Sequence, residues 1–195
     1  PDIATLDVGT FNFGEQVFMN TPAHLRYMAK TIRDLGVKPE IEVFESGHIR
    51  FALQMMEEGL IEEPPLFQFC LGIPWAAPAT PAAAQFMKSM LPGNAIFAGF
   101  GISRWEFSMV AEMMNIGGHC RVGLEDNLYL GKGEFASNAV AQRQRPFVDG
   151  IARLAIAAGS QDWLAALLPH LFRAGLTQPL KNAYLEHDVR RIAAP

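Results

Sequence analysis

The chain has 195 residues, half of them hydrophobic, and a formal net charge of −4. A chain of this kind can bury one real core, so it is globular rather than disordered. The acidic balance and the lack of a basic cluster argue against nucleic acid or an anionic membrane surface as partner.

Ile3 to Val8 alternates and is rich in β-formers, which predicts a strand ending at Gly9-Thr10. Phe11 to Asn20 reads as a loop. Thr21 can cap a helix with Pro22 at its first position, and Leu25, Met28, Ala29, Ile32 and Leu35 give it one apolar face before Gly36. Ile41 to Glu45 is a second strand. A helix with Ile49, Ala52, Leu53, Met56 and Leu60 on one side follows it. Leu66 to Ile73 is a continuous apolar strand, as suits a strand covered on both faces. After the stiff Pro74–Thr80 loop, Pro81 starts a helix that runs to about Leu91. Ala95 to Phe100 is a strand, and Trp105 to Ile116 a helix stopped by Gly117-Gly118. Cys120 to Leu124 is then expected as a short buried strand. Ser137 opens a further helical stretch, and the tail from Gly159 reads as broken helix. No apolar run reaches a membrane span and no leader sequence is visible; the start at Pro1, without methionine, points to a processed or incomplete chain. Cys70 and Cys120 read as reduced core thiols, consistent with the cytoplasm.

Strict alternation of strand and helix predicts an α/β fold with a parallel sheet. No Gly-x-Gly-x-x-Gly follows the first strand, so a dinucleotide fold has no support. The expected architecture is the C-terminal part, about five βα units, of a (β/α)8 TIM barrel, which when whole takes roughly 250 residues. The barrel's N-terminal strands would then be absent from this sequence. Residues 1–138 would carry the βα units. Residues 139–195 would form a C-terminal helical region that packs on the barrel or on a second copy in a homo-oligomer.

In such a fold, residues at strand ends do the chemistry. The end of the last expected strand holds Arg121, Glu125 and Asp126 together, an unusual set for a buried strand. It reads either as an active site or as a structural ion pair. Glu40 and Glu42 share a side of the second strand. Glu42, the deeper, would handle a proton, bind a cationic group or point outward to a lysine. Thr5 and Asp7 share a side of the first strand. His48 is expected at the surface, as lone loop histidines usually are. Gly101-Ile102-Ser103-Arg104 is a strand exit with a cation, suited to coenzyme phosphates or merely a tight turn.

The run Lys38-Pro39-Glu40-Ile41-Glu42-Val43-Phe44-Glu45-Ser46-Gly47-His48 is similar to one in the β-keto acid cleavage enzymes. So are Gln68-Phe69 through Gly72-Ile73-Pro74, Ala77-Pro78-Ala79-Thr80, Gly101-Ile102-Ser103-Arg104, and Arg121-Val122-Gly123-Leu124-Glu125-Asp126-Asn127 with Lys132-Gly133. The resemblance runs in order from about Ala4 to Asn138. The founding activity of this family is 3-keto-5-aminohexanoate cleavage.

The resemblance implies a zinc-dependent (Zn2+) enzyme that condenses a β-keto acid with acetyl-CoA, giving acetoacetate and a new acyl-CoA. It implies Glu125 as a metal ligand beside two histidines that this sequence does not contain in the matching His-x-His form. Asp126 and Arg121 would work together in abstracting the proton, Glu42 would stand in the substrate pocket, and Thr5 would face it, with Asp7 as the alternative position. On the reading of the residues, Arg104 would bind the coenzyme or substrate. Two other readings stand beside this one. The first is a structural or inactive barrel fragment; the second is another TIM-barrel lyase or aldolase, with Arg104 on a substrate phosphate.

Overall fold

The computed structural model describes residues 1–137. The expected helical region at 139–195 lies outside the described residues. Five strands form one parallel sheet: β1 (Ile3–Val8), β4 (Lys38–Val43), β5 (Leu66–Leu71), β6 (Ile96–Gly101) and β7 (His119–Cys120), in the order β1-β4-β5-β6-β7. Between them run α1 (Pro22–Asp34), α2 (Ser46–Glu57), α3 (Pro81–Ser89) and α4 (Glu106–Asn115). The α/β class and the parallel sheet agree with the sequence reading. Two short antiparallel hairpins stand outside the sheet: β2 (Phe11–Phe13) with β3 (Gln16–Phe18), and β8 (Tyr129–Gly131) with β9 (Glu134–Phe135).

Local chemistry sets the helix starts. Thr21 Oγ1 accepts the His24 N–H at 3.3 Å and Thr80 Oγ1 accepts the Ala83 N–H at 3.3 Å, each just before a proline at the first helical position.

Strand alternation sorts the side chains onto two faces. Leu6, Val8, Ile41, Val43, Phe67, Phe69, Leu71 and Phe97 join Leu25, Ala29, Ile49, Ala52, Met55, Ala84, Met87, Met109 and Met113 in one core. All four helices therefore pack on the same face. The opposite face carries Asp7, Glu42 and Gln68 as cross-strand neighbours in one row. A small second cluster of Phe44, Cys70, Ile73 and Phe100 packs there with Phe11 and Ile102. The polar row and the smaller cluster are thus kept apart from the main core.

Three expectations fail. The strand expected over Cys120–Leu124 pairs only at His119 and Cys120, after which the chain turns. Arg121 and the acids behind it need partners that a ladder strand would not offer, and the Gly123 carbonyl closes the turn by accepting N–H groups from Asp126 and Asn127. Cys120 is accordingly exposed rather than core. His48 is buried, not at the surface. It lies in the first turn of α2, where Nδ1 accepts the Phe44 N–H at 3.3 Å. Its ring occupies the space a side chain at Gly9 would need; a Cβ there would stand 2.2 Å from His48 Cδ2, and Gly9 holds φ +105°.

Candidate functional site

The carboxyl ends of the strands open into a cleft of about 230 Å³. Asp7 enters it from β1, Glu42 from β4, and Arg121, Glu125 and Asp126 from the turn after β7. Arg121 is the hub. Its Nε and Nη2 donate to the two oxygens of Asp126 at 2.9 and 3.0 Å, a bidentate pair. Nη2 also donates to Glu125 at 2.9 Å, and Nη1 reaches Glu42 at 3.4 Å. The guanidinium lies over the Phe100 ring, 4.3 Å from its centre.

Asp126 is buried, whereas the Glu125 side chain is 83% exposed at the mouth. Two adjacent acids thus meet different environments: one is fixed by the arginine, the other opens outward. Burial pushes the Asp126 carboxyl up, and Arg121 opposes that shift. Burial and the neighbouring Asp7 charge push Glu42 up to about 7, with Arg121 pulling the other way. Asp7 is also raised, chiefly by burial.

Three anchors hold the turn. The Ser103 N–H donates to the Asp126 carbonyl at 2.7 Å. The fully buried Glu106, at the start of α4, accepts the Gly123 N–H and the Asn127 Nδ2–H, each at 3.0 Å. Asn127 in turn donates to the Tyr129 carbonyl at 2.7 Å and accepts its N–H at 3.0 Å. Sequence reasoning missed Glu106. Its only signal was a carboxylate next to the apolar run that α4 buries.

A second pocket of about 520 Å³ lies beside the first, between the Ser103–Phe107 segment and the β8–β9 hairpin. Arg104, Asn127, Tyr129 and Lys132 line it. The turn is the wall between the pockets, with Asp126 on one side and Asn127 on the other.

The structure brings Arg121, Glu42, Glu125 and Asp126 together. Arg104 stands apart in the second pocket, its guanidinium 4.6 Å from the centre of the Trp105 ring. Thr5 is exposed, with its hydroxyl 3.5 Å from Glu40 Oε2; on β1 the residue that lines the cleft is Asp7. Phe11, Phe13 and Phe18 of the β2–β3 hairpin also line it, in a segment expected only to be a loop.

Glu125 offers an oxygen donor of a kind zinc accepts, but a closed zinc site takes four ligands. Among the described residues, no group of three or more His, Cys, Asp or Glu is arranged to hold a metal. Those residues alone do not make a zinc site. Among them, too, no helix is long and apolar enough to cross a membrane.

The family model for beta-keto acid cleavage enzymes matches residues 1–160. A 3-dehydrocarnitine:acetyl-CoA trimethylamine transferase of Rhizobium meliloti is 51% identical over 141 residues, covering 71% of this chain and 47% of that protein. A 3-keto-5-aminohexanoate cleavage enzyme of Fusobacterium nucleatum is 38% identical over 156 residues, covering 80% of this chain and 55% of its own length. The chain spans about half the length of these curated relatives. Among solved structures, that of apo ObcA superposes with a TM-score of 0.60 at 15% identity, covering 82% of this chain and 41% of ObcA, a likeness of fold alone. By the family model, which matches residues 1–160, the chain belongs to the β-keto acid cleavage enzyme family.

Proposed function

We infer that the protein condenses a β-keto acid with acetyl-CoA to give acetoacetate and a new acyl-CoA. One observation carries this reading: the Arg121–Asp126 pair sits in the wall between two pockets, one acidic and one flanked by Arg104 and Lys132. A two-substrate reaction needs such a division. The β-keto acid occupies the cleft, with Glu42 beside it. Asp126, aligned by the bidentate arginine, accepts the α-proton. The resulting carbanion attacks the thioester carbonyl of acetyl-CoA held in the second pocket. The adduct expels the coenzyme A thiolate, which adds to the acid's original β-carbonyl carbon; the bond from that carbon to the α-carbon then breaks, and the α-carbon takes back the proton from Asp126. The acetyl group leaves on the α-carbon as acetoacetate, and the remaining acyl group leaves on coenzyme A. Arg104 and Lys132 take the coenzyme's phosphates.

Zinc enters through Glu125, the outward acid of the pair, with two histidine donors drawn from outside the described residues. Helices on one face of a parallel sheet and a polar row on the other support a partial (β/α)8 barrel. A homo-oligomer and a cytoplasmic setting complete the reading.

The test is acetyl-CoA-dependent acetoacetate formation and bound zinc, measured together on two variants. Asp126→Asn should keep zinc and lose turnover, whereas Glu125→Gln should lose zinc. Normal turnover in Asp126→Asn would overturn the assignment.

A further inference from the structure

Asp7 and Glu42 are the two acids of the cleft with the least compensation. They are register partners on the neighbouring strands β1 and β4, and both line the cleft. The Asp7 carboxylate accepts no hydrogen bond among the described residues. Glu42 is buried, and the cation that reaches it is Arg121, through Nη1 at 3.4 Å. That guanidinium is already committed elsewhere. Its Nε and Nη2 hold Asp126 at 2.9 and 3.0 Å, and Nη2 also holds Glu125 at 2.9 Å, at the exposed mouth.

Among the described residues, the other groups that face Glu42 are neutral or acidic. Gln68, its register partner on β5, is a neutral amide. Cys70, also from β5, lines the same cleft with a thiol that burial pushes up. Glu40 lies on Glu42's own strand, and Asp126 stands on the far edge of the guanidinium. Two carboxylates side by side, with one shared and distant cation, do not both stay ionised; they titrate as a pair. The proton goes to the more buried member, Glu42, which burial and the Asp7 charge together raise.

Arg121 thus carries a base and an acid on one planar group, Asp126 at Nε and Nη2 and Glu42 at Nη1. We propose that Asp7 is a positioning residue that keeps Glu42 in its acid form, and that the Glu42 O–H donates a hydrogen bond to the keto oxygen of the bound β-keto acid. Charge collects on that oxygen as Asp126 removes the α-proton, two bonds away. A neutral carboxyl that donates there stabilises the developing charge, where a carboxylate would repel it. The Glu42 proton stays on Glu42 throughout, and only Asp126 exchanges a proton with the α-carbon. The contact rests on the β-keto acid reading, but the protonation of Glu42 is read without turnover.

The first measurement is infrared pH-difference spectroscopy on the purified full chain. A protonated-carboxyl band should fade as pH rises through about 7 and should be missing in Glu42→Gln. In Asp7→Asn, which keeps the shape and removes the neighbouring charge, the band should fade about one pH unit lower. The second measurement is transfer of labelled acetyl from acetyl-CoA into unlabelled acetoacetate, which is itself a β-keto acid. Its kcat/KM should fall on the alkaline side of about 7, and that fall should move down with the infrared midpoint in Asp7→Asn. Glu42→Gln, whose amide donates but does not ionise, should turn over more slowly and lack the alkaline fall. A band that titrates only in the ordinary carboxylate range, or one unmoved in Asp7→Asn, would overturn the role of Asp7. A moved band with an unmoved rate profile would overturn the contact to substrate. A chain that shows the band but transfers no label keeps the acid pair and loses the reaction reading together with the keto-oxygen contact.

Discussion

Glu106→Gln isolates how the Arg121–Asn127 turn is held without touching any group inside the acidic cleft. The carboxylate accepts two hydrogen bonds, from Gly123 and Asn127, in a fully buried place. An amide of the same shape keeps one acceptor oxygen and sets an NH2 group against the other donor. The loss is about 2 kcal/mol, the lower range for a bond to a charged acceptor plus a donor left unmade. At about 2–4 °C per kcal/mol, the melting temperature should fall by roughly 4–8 °C. Gly123 and Asn127 flank Asp126, so the turn should also shift. A displacement of about 1 Å at a reacting group costs on the order of 100-fold in rate. The assay is thermal unfolding together with kcat for acetoacetate formation. Glu112→Gln is the control, since Glu112 is also buried in α4 but accepts from Gln85, away from the turn. It should lose stability and keep turnover. If both variants kept the same turnover, Glu106 would be a packing residue and its role in positioning Asp126 would be refuted.

Glu42→Gln should change how stability depends on pH. Burial and Asp7 raise the Glu42 carboxyl in the folded protein to about 7, so the fold favours its protonated form. That contribution is full below the ordinary glutamate range and is lost as pH rises through about 7, so the wild type should weaken over that window relative to the variant in denaturant titrations. Gly9→Ala places a Cβ against the His48 ring at a positive φ and should cost about 2–4 kcal/mol by chemical denaturation. Gly14→Ala, with φ +60° and open space around it, should cost only about 1 kcal/mol. Arg104→Ala should raise the KM for acetyl-CoA about tenfold, the value of one charge-assisted contact, and leave the KM for the acid unchanged.

The sheet and its helices were legible because burial writes itself into spacing. The apolar faces of α1 and α2 and the unbroken run of β5 lie in the segments their patterns indicate. Arg121, Glu125 and Asp126 could be singled out because charge in an apolar stretch needs a reason. Their backbone was misread by the same logic, since Val122 and Leu124 look like ladder residues until Arg121 claims its partners. His48 was misjudged because a packed imidazole and a surface one look alike in sequence; only the space above Gly9 separates them. The β2–β3 hairpin left no periodicity to find, since its strands have three residues each and, among the described residues, pair only with one another. Thr5 is the more plausible of the pair in sequence, and only the register that sets Asp7 opposite Glu42 shows that Asp7 is the one lining the cleft.

Asp126 and Asn127 share a peptide bond and serve opposite pockets. This makes the length of the segment from Arg121 to Asn127 a fixed quantity. Its side chains can drift so long as the hub and its anchors remain. A single inserted or deleted residue would break the alignment of the two chambers, because no step of one residue keeps an acid facing the first and an amide the second. Over evolutionary time, new substrates should therefore arise from changes to the hairpin and the pocket rims, and indels should be purged from these seven positions.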